Sequence, residues 1–321
     1  MSVFITGVAG FIGCNLARFL LNRGQRVAGF DNLCRGQLQN LNSVIGNPDF
    51  TFKKIDLADL DSYREALTRL HERSPISVVW HMAANSDIPA GVTDAWVDLR
   101  DTFMTTFNTL EVMKHLNIPT LAFASTSAVY GDLQDIKLTE DSGPLFPISN
   151  YGAMKLASEA IISAAVESFL ERAYIFRFPN VIGTPATHGA LLDFVHKLNK
   201  TPNHLVVLGD GTQQKPYLHV DELIDAMLYI YEQATERLNY FNIGADDEGV
   251  TVKFMAEQVV ATVSPGATIT YGEGSKGWVG DVPRFFYSIE KLRRLGWKPT
   301  LGSAAAVRLA VRQIAAQEAI K

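Results

Sequence analysis

The sequence SVFITGVAGFIGCNLARFLLNRG spans residues 2–24 and joins an apolar strand, a glycine-rich turn and a helix. The run SVFIT (2–6) consists mainly of β-branched and aromatic residues, which favour a strand. The helical pattern begins at Phe11 and ends at Gly24, and glycine is common directly after a helix C-terminus. The stretch therefore predicts the first strand–turn–helix unit of an α/β fold.

Three glycines connect this strand to the helix with the spacing G-x-x-G-x-x-G: Gly7, Gly10 and Gly13. They allow a tight turn, a close backbone approach to a pyrophosphate and close packing of the helix on the strand. Asp31 closes the next predicted strand, 18 residues after Gly13, where a carboxylate can bind both hydroxyls of a ribose. The pattern predicts a dinucleotide site. Repulsion between Asp31 and a 2′-phosphate favours NAD over NADP, although Arg35 could partly offset it.

The alternation of strand and helix continues through the first half of the chain. Runs such as VVW (78–80) and LAFA (121–124) are continuously apolar, as expected of parallel strands that are buried on both faces. The predicted strands are 2–6, 25–31, 50–56, 76–84, 120–126 and 173–179, and the predicted helices are 11–24, 61–73, 94–116 and 148–170. Residues 1–180 are therefore expected to form an NAD-binding domain with a Rossmann-type, doubly wound parallel sheet.

After residue 180 the pattern loosens, because glycine and proline interrupt it repeatedly. Helical patterns remain at 190–199, 220–234, 251–263 and 303–319. We expect residues 181–321 to form mainly a smaller, mixed α/β region that binds the substrate and is partly interleaved with the first domain.

The composition excludes several classes of protein. The 321 residues carry 29 basic and 34 acidic side chains, which argues against nucleic acid as a partner because DNA-binding proteins usually present a basic face. The sequence contains no run of 18 apolar residues that would predict a membrane span, and it begins in a strand-like run without the features of a signal peptide. Cys14 and Cys34 suggest neither a disulfide framework nor a metal site. We expect a cytoplasmic protein that binds no metal.

A second constellation joins a tyrosine, a lysine and a group of hydroxyls. Tyr151 and Lys155 are four residues apart in a helical pattern, so they share one helix face. A cation beside a phenol lowers the phenol pKa from about 10, and such a tyrosine can exchange a proton with a carbinol during hydride transfer. The segment STSAVYG (125–131) ends a predicted strand and places hydroxyls at the carboxyl edge of the sheet, where open α/β folds bind ligands.

Seven motifs together resemble the extended short-chain dehydrogenases/reductases: TGVAGFIG, DNL, HMAA, STSAVYG, YGAMK, RFPNVIG and GDGTQQKPYLHVDE. They follow the family order from residue 6 to about residue 297, so the resemblance covers almost the whole chain. Within that group the chain is similar to the NAD-dependent nucleotide-sugar epimerases and dehydratases, especially UDP-glucose 4-epimerase-like members. The resemblance implies epimerisation of a nucleotide sugar, with a UDP-hexose at C4 favoured, through a transient 4-keto intermediate.

The resemblance also implies a role for individual residues. Thr126, Tyr151 and Lys155 would be catalytic. The implied cofactor-binding residues are Gly7, Gly10, Phe11, Ile12, Gly13, Asp31, Asn32, Arg35, Asp56, Leu57, Ala83, Ala84, Tyr151, Lys155 and Pro179. The implied substrate-binding residues are Thr126, Ser127, Asn180, Lys215 and Arg284.

Three departures from the family pattern bear on the reaction and the site. Ser127 and Ala128 replace the Asp-Glu pair that many dehydratases carry after the catalytic threonine, and Ala128 cannot supply the extra acid that elimination needs. Lys215 stands where the family usually has arginine, so the charge is kept and bidentate phosphate recognition is lost. Thr102 replaces an asparagine that braces the backbone in the family.

Three functions remain open on this basis. The leading hypothesis is a nucleotide-sugar epimerase. A nucleotide-sugar dehydratase or 4-ketoreductase would use the same NAD site and the same Thr/Tyr/Lys set. An NAD-binding regulator without turnover would share the fold, although it would have no need of that intact set.

The same resemblance implies a homodimer in which helices 94–116 and 148–170 of two chains form a four-helix bundle. Both helices carry more apolar residues than one sheet-facing stripe needs. These residues are Phe103, Met104, Phe107, Leu110, Val112, Ile161, Ile162, Ala165 and Phe169.

Overall fold

The computed structural model describes residues 2–133, 136–274 and 286–319. The strands are β1 (Ser2–Thr6), β2 (Arg26–Asp31), β3 (Phe50–Lys54), β4 (Ile76–His81), β5 (Thr120–Ala124), β6 (Lys137–Leu138), β7 (Arg172–Arg177), β8 (Asn180–Ile182), β9 (His204–Val207), β10 (Gln214–Lys215), β11 (Tyr217–His219), β12 (Leu238–Asn242), β13 (Val250–Thr251), β14 (Thr268–Tyr271) and β15 (Phe286–Tyr287). The α-helices are α1 (Phe11–Asn22), α2 (Leu60–Arg73), α3 (Ile88–Thr93), α4 (Ala95–Asp98), α5 (Thr105–Leu116), α6 (Asn150–Ser168), α7 (Ala190–Lys200), α8 (Val220–Gln233), α9 (Val252–Val263), α10 (Glu290–Leu295) and α11 (Ser303–Ala319).

The chain divides into two compact units. Unit 1 comprises Met1–Gly131, Pro144–Arg177 and Met227–Phe241. Unit 2 comprises Asp132–Gly143, Phe178–Ala226 and Asn242–Lys321. Among the described residues, none of the helices has the length and apolar content that a membrane span requires.

Unit 1 is built on a seven-stranded sheet with the order β12-β7-β5-β4-β1-β2-β3. The pairings from β3 through β7 are all parallel, which confirms the predicted doubly wound α/β sheet. The chain runs outward from β1 to β3 and then returns to build β4, β5 and β7 on the other side of β1. Strand order therefore reverses between β1 and β4, and the crevice at such a reversal is where open α/β sheets bind ligands.

The continuous apolar strands explain the core of unit 1. All five residues of β1 are buried, and the rings of Phe4 and Phe30 pack edge to face with centroids 4.8 Å apart. Tyr63 of α2 packs against both rings. Burying one such side chain stabilises the fold by roughly 1.5–3 kcal/mol, so this cluster holds the sheet rigid beneath its carboxyl edge.

The predicted helix 94–116 is wrong as a single element. The structure has α4, then a π-helical segment (Leu99–Met104), then α5. The hydroxyls of Thr105 and Thr106 donate to the carbonyls of Asp101 and Thr102 at 3.0 and 2.9 Å. Side chains that compete for backbone carbonyls in this way distort a helix, and the wider turn coincides with the buried side chain of Thr102.

Several predicted strands extend two or three residues beyond their observed ends. β4 ends at His81, β5 at Ala124 and β7 at Arg177, whereas the sequence predicted ends at residues 84, 126 and 179. The apolar pattern continues past the ends of β4 and β7, and the two residues after β5 are polar but buried. The segments after β4 and β5 form the loops of the candidate site.

Unit 2 contains short strand pairs and three packed helices, as the predicted mixed α/β region requires. β9 pairs with β14, and β8 pairs with β11, both in parallel. β10 pairs with β13 in antiparallel fashion. Leu191, Val195, Met255, Val259 and Val311 of α7, α9 and α11 belong to one buried apolar cluster, which is separate from the core of the large sheet.

Candidate active site

The backbone of the glycine turn passes so close to neighbouring backbone that side chains at two of its glycines would collide with it. Gly7 has φ +65°, and a Cβ on it would lie 2.8 Å from the Cα of Ala83. A Cβ on Gly13 would lie 2.2 Å from the carbonyl oxygen of Gly7. Gly10 precedes α1 and provides no side-chain cap. The N–H groups of the first helical turn, which includes Phe11 and Ile12, can therefore donate to an anion. The turn fits the pyrophosphate of a dinucleotide.

Asp31 is fixed at the end of β2 beside this turn. Its Oδ2 accepts from the Ala9 N–H at 3.0 Å and its Oδ1 accepts from the Leu33 N–H at 2.8 Å. The carboxyl group is buried, and burial raises its pKa. A Cβ on Gly36 would lie 2.8 Å from Asp31 Oδ2, so backbone closes in on the carboxylate. A fixed carboxylate at this point fits the two hydroxyls of an adenosine ribose.

Arg35, which could have attracted a 2′-phosphate, is paired with another residue. Its Nη1 lies 2.9 Å from the carboxylate of Asp87. Because Asp87 offsets the Arg35 charge, the structure weakens the one sequence feature that favours NADP.

An open cavity of about 500 Å³ adjoins this end of the sheet. Arg100 forms ion pairs with Asp56 and Asp101 at its wall. The carbonyl of Leu57 accepts from Asn108 Nδ2 at 2.8 Å, which holds the loop after β3 against α5. The cavity is lined by Asn32, Cys34, Lys54, Asp56 and Arg100, so it brings together two of the predicted cofactor-binding residues.

The loop after β4 is fastened to β1 by a buried polar network. The Thr6 hydroxyl accepts from the Ala83 N–H at 3.2 Å and lies 2.7 Å from His81 Nδ1. Burial lowers the pKa of His81 to about 3, so this imidazole is neutral and structural. The Thr102 hydroxyl accepts from the Asn85 N–H at 3.1 Å. Thr102 therefore supplies a backbone contact where the family asparagine is missing.

Thr126 and Tyr151 meet where β5 ends and α6 begins. Thr126 caps a short 3₁₀ turn (Ser127–Tyr130), because its Oγ1 accepts from the Ala128 N–H at 3.1 Å. Ser149 caps α6 by accepting from the Gly152 N–H at 3.1 Å, which places Tyr151 in the first helical turn. The side chain of Thr126 lies near enough to Tyr151 to lower the pKa of its phenol.

Lys155 lies one helical turn after Tyr151 and is 2% exposed. Its Nζ donates to the carbonyl of Ala124 at 2.5 Å. The same nitrogen lies 4.6 Å from the ring centroid of Phe123 and 5.9 Å from that of Tyr151. The structure thus brings the three predicted catalytic residues together at the carboxyl end of β5.

Burial shifts the pKa values of the tyrosine and the lysine in opposite directions. It raises the pKa of Tyr151 to about 12. The Thr126 side chain opposes this rise, and the negative charge of Asp98 adds to it. Burial lowers the pKa of Lys155 to about 7, and the negative charge of Glu159 opposes this change. Both shifts favour the neutral forms, so proton transfer at this site depends on the charges that surround the pair.

Asp98 is a buried carboxyl that the sequence analysis missed. It is 0% exposed, its Oδ1 accepts from Asn85 Nδ2 at 2.8 Å, and burial raises its pKa. A Cβ on Gly91 would lie 1.8 Å from Asp98 Oδ2, so only glycine fits there. No local pattern in the sequence reveals this contact, because it joins two separate short helices, α3 and α4.

Glu159 and Arg177 form a buried ion pair that the sequence analysis also missed. Their side chains are 7% and 8% exposed, and Arg177 Nη2 lies 2.6 Å from Glu159 Oε2. Part of a signal was present, because Glu159 follows Lys155 by four residues on the same helix face and Arg177 follows the buried run AYIF (173–176) of β7. The sequence does not show that the two charges meet.

The predicted substrate-binding residues Asn180 and Lys215 belong to unit 2, as does Pro179. Asn180 begins β8 and pairs with Tyr217 of β11, so Lys215, two residues before Tyr217, lies on a neighbouring segment of the same unit. Arg284 lies outside the described residues. In the part of the chain that the structure describes, no group of three or more His, Cys, Asp and Glu side chains is arranged to hold a metal ion. Ala84, from the other unit, follows the braced loop of Ala83 and is half-buried.

Residues 3–244 match the family described as the NAD dependent epimerase/dehydratase family. The chain is 27% identical over 305 residues to UDP-glucuronate 4-epimerase of Thermodesulfobacterium geofontis, covering 92% of this chain and 91% of that protein. It is also 27% identical over 334 residues to dTDP-glucose 4,6-dehydratase of Haemophilus influenzae, covering 97% of each.

Solved structures show the same similarity over nearly the full chain. A crystal structure of a UDP-galactose 4-epimerase superposes with a TM-score of 0.85 at 31% identity and covers 99% of both chains. The UDP-glucose 4-epimerase of Thermus thermophilus, solved in complex with NAD, gives a TM-score of 0.84 at 26% identity and covers 98% of this chain and 99% of that one.

Proposed function

The chain belongs to the NAD-dependent epimerase/dehydratase family, and from this premise we propose that it interconverts the C4 epimers of a nucleotide sugar, with a UDP-hexose as substrate. The observation that carries the proposal is the convergence of Thr126, Tyr151 and Lys155 at the carboxyl end of β5. NAD is the cofactor of the family, and when bound it would supply reversible hydride transfer at the sugar carbon.

The side chains of the site move and hold the proton. The phenol oxygen of Tyr151 removes the proton of the C4 hydroxyl and later returns it. The Thr126 hydroxyl, whose proximity lowers the pKa of Tyr151, would donate to the same sugar oxygen. The ammonium of Lys155 favours the phenolate, because opposite charges a few ångströms apart stabilise each other. General acid–base catalysis of this kind contributes about 10²–10⁴-fold to the rate.

Unit 1 holds the cofactor in this proposal. The glycine turn, with Phe11 and Ile12, would receive the pyrophosphate, and Asp31 with Asn32 would bind the adenosine ribose. The remaining contacts in this unit would come from Arg35, Asp56, Leu57, Ala83, Ala84, Tyr151 and Lys155. The cofactor contact of Pro179, a residue of unit 2, stays a prediction from the sequence. The rigid loops after β1, β2 and β4 support this assignment, because each is fixed by buried hydrogen bonds.

Unit 2 binds the nucleotide diphosphate in this proposal. Asn180 Nδ2 donates to the carbonyl of Pro216 at 3.5 Å, and Pro216 directly follows Lys215, so an amide donor and a cation can approach the same phosphates. Ser127 would contact the sugar from the β5 side. Arg284 is proposed for the nucleotide end from the sequence alone, as is a cytoplasmic location for the enzyme.

Epimerisation is favoured over dehydration by the residues after Thr126. Elimination of water needs an acid and a base besides the tyrosine, and Ala128 offers only a methyl group there. The carboxyl of Asp98 affects the pKa of Tyr151 but is fully buried against Gly91, so it is a poor substitute. Similarity to a protein named dTDP-glucose 4,6-dehydratase keeps dehydration as the second candidate.

The deciding experiment incubates the protein with UDP-glucose, UDP-galactose, their N-acetyl derivatives and UDP-glucuronate, and analyses the products by mass spectrometry and chromatography. We expect an equilibrium between two C4 epimers of unchanged mass. A product lighter by the mass of one water molecule would show that the reaction is dehydration and contradict epimerisation. Bound NAD without conversion of any of these sugars would favour a regulator and contradict the proposal.

We predict that the protein is a homodimer joined through α5 and α6. Phe107 of α5 is 40% exposed, whereas Leu110 and Ile162 are already buried in the core of unit 1. Light scattering should give twice the mass of the chain, and Phe107→Glu should shift the protein to monomer. Phe146→Glu, an exposed position outside both helices, should leave the dimer intact. A wild-type monomer at all concentrations would contradict the prediction.

We also predict that the purified protein carries NAD and not NADP. Asp31 repels a 2′-phosphate, and the charge of Arg35 is offset by Asp87. Denaturation and chromatography should release NAD, and Asp31→Asn should weaken NAD binding by about tenfold or more, because hydrogen bonds to a charged group contribute roughly 1.5–3 kcal/mol. Release of NADP from the wild type would show that Asp31 does not select the cofactor.

A further inference from the structure

A contribution to the stability of the fold does not by itself explain why the charged pair of Glu159 and Arg177 is buried. Arg177 donates through Nε to Glu159 Oε1 at 3.0 Å and through Nη2 to Oε2 at 2.6 Å, and its Nη1 donates to the Tyr130 hydroxyl at 3.0 Å. Removing two charges from water costs several kcal/mol for each ion, and their attraction often does no more than offset that cost. A well-packed apolar pair would serve the core as well.

The position of Glu159 connects it to both parts of the candidate site. It follows Lys155 by one turn of α6, so the two side chains lie on one helix face. The hydroxyl of Ser125 donates to Glu159 Oε1, and Ser125 immediately precedes Thr126. One carboxylate therefore holds the strand end that carries Thr126 and lies beside the lysine that serves Tyr151.

The charged and titratable groups around Lys155 come from three elements. His81 of β4 is neutral, because burial and the positive charge of Lys155 lower its pKa to about 3. Arg177 of β7 is directed at the carboxylate of Glu159. On α6 itself, Tyr151 and Glu159 flank the lysine. Glu159 is the group whose charge favours the ammonium form, and it acts against burial, which lowers the pKa of Lys155 to about 7.

Loss of the proton from Lys155 would also change the ionisation of Tyr151. The phenolate of Tyr151 and the ammonium of Lys155 stabilise each other, so the two titrate as a coupled pair. If Lys155 loses its proton at a lower pH than before, it also stops stabilising the Tyr151 phenolate at that lower pH. Whatever holds the proton on Lys155 therefore sets the upper end of the pH range in which the pair works.

We propose that Glu159 is a positioning residue whose carboxylate keeps Lys155 protonated and holds the Ser125–Thr126 segment in place. This role rests on the proposed function of the Thr/Tyr/Lys site and deepens it. Arg177 orients the carboxylate and satisfies its remaining oxygen positions, which explains why a full ion pair is buried at this point.

The test is Glu159→Gln, which keeps the shape of the side chain, removes its charge and replaces one of its two acceptor oxygens with a donor amide. We expect the alkaline limb of the kcat–pH profile to move to lower pH by about one unit, within the range that a neighbouring charge usually produces. We also expect phenolate absorbance from Tyr151, measured as the difference from Tyr151→Phe, to develop at higher pH than in the wild type. The absorbance requires no substrate, so it tests Glu159 even if no nucleotide sugar is converted.

Two variants separate charge from structure. Ser125→Ala removes a hydrogen bond to Glu159 and keeps the charge, so kcat should fall while the alkaline limb stays in place. Glu65→Gln removes an exposed carboxylate that pairs with Arg69 on α2, and neither measurement should change. A folded Glu159→Gln protein with wild-type pH dependence in both measurements would overturn the proposal.

Glu159→Gln leaves Arg177 without its counterion, and that can prevent folding. The double variant Glu159→Gln/Arg177→Gln removes both charges and answers the same question. Its pH shifts should have the same direction and a smaller size, because loss of the Arg177 charge favours the ammonium of Lys155. A folded double variant without any shift would equally overturn the proposal.

Discussion

Tyr151→Phe is expected to lower kcat by about 10²–10⁴-fold, the usual contribution of general acid–base catalysis, while NAD stays bound. The phenol oxygen is the proton carrier in the proposed reaction, and phenylalanine has no replacement for it. The ring still fills its position in the first turn of α6, which Ser149 caps independently. Steady-state turnover and the bound cofactor should be measured on the same preparation.

Two further variants make this result specific. Thr126→Ala should cost less than Tyr151→Phe, because it removes one hydrogen bond to the reacting oxygen and leaves the proton carrier. Tyr63→Phe is the matched control, since its hydroxyl lies in the core, 3.4 Å from Thr109 Oγ1, and activity should not change. A Tyr151→Phe enzyme with near wild-type kcat would refute the assignment of the proton carrier.

The sheet and its phosphate turn were predictable because their signals are local. A run such as SVFIT, followed by Gly7, Gly10 and Gly13, allows few other conformations, since a Cβ at Gly7 or Gly13 would collide with nearby backbone. The four-residue spacing of Tyr151 and Lys155 likewise follows from helix geometry alone. Such features need no knowledge of which distant segments meet.

The charged surroundings of the site were not predictable, because they join residues far apart in the chain. Arg35 meets Asp87 across 52 positions, and Arg177 meets Glu159 across 18. The interrupted helix after residue 94 depends on threonine hydroxyls that take backbone carbonyls, and amphipathic periodicity does not register that competition. Sequence patterns locate the groups that react, whereas the structure is needed to find the groups that set their charge.

Lys155→Met is expected to reduce kcat by about 10²-fold or more and to weaken NAD retention, although it removes no packing volume from the core. Without the ammonium, only the Thr126 side chain opposes the burial that raises the pKa of Tyr151 to about 12. The proposed contact between Lys155 and the nicotinamide ribose is lost at the same time. Turnover and cofactor content after gel filtration measure the two effects separately.

The same substitution should not destabilise the fold at neutral pH, and this distinguishes a functional lysine from a structural one. Burial lowers the pKa of Lys155 from 10.5 to about 7, so the folded state carries a penalty that is full below about pH 7 and disappears as the pH rises to about 10.5. Between those values the unfolded state binds more protons, and wild-type stability gains a contribution of the order of a few kcal/mol.

Lys155→Met lacks that contribution, so its free energy of unfolding should equal or exceed that of the wild type near pH 7 and lose this advantage near pH 10. Denaturant unfolding at the two pH values measures the difference, in which the other titrating groups cancel. Lys200→Met, at an exposed position near the end of α7, is the control and should show no such pH dependence. A Lys155→Met protein that is less stable than the wild type at pH 7 would mean that the hydrogen bond from Lys155 to Ala124 stabilises the fold more than the buried amine destabilises it. The lysine would then be retained for structure as well as for chemistry.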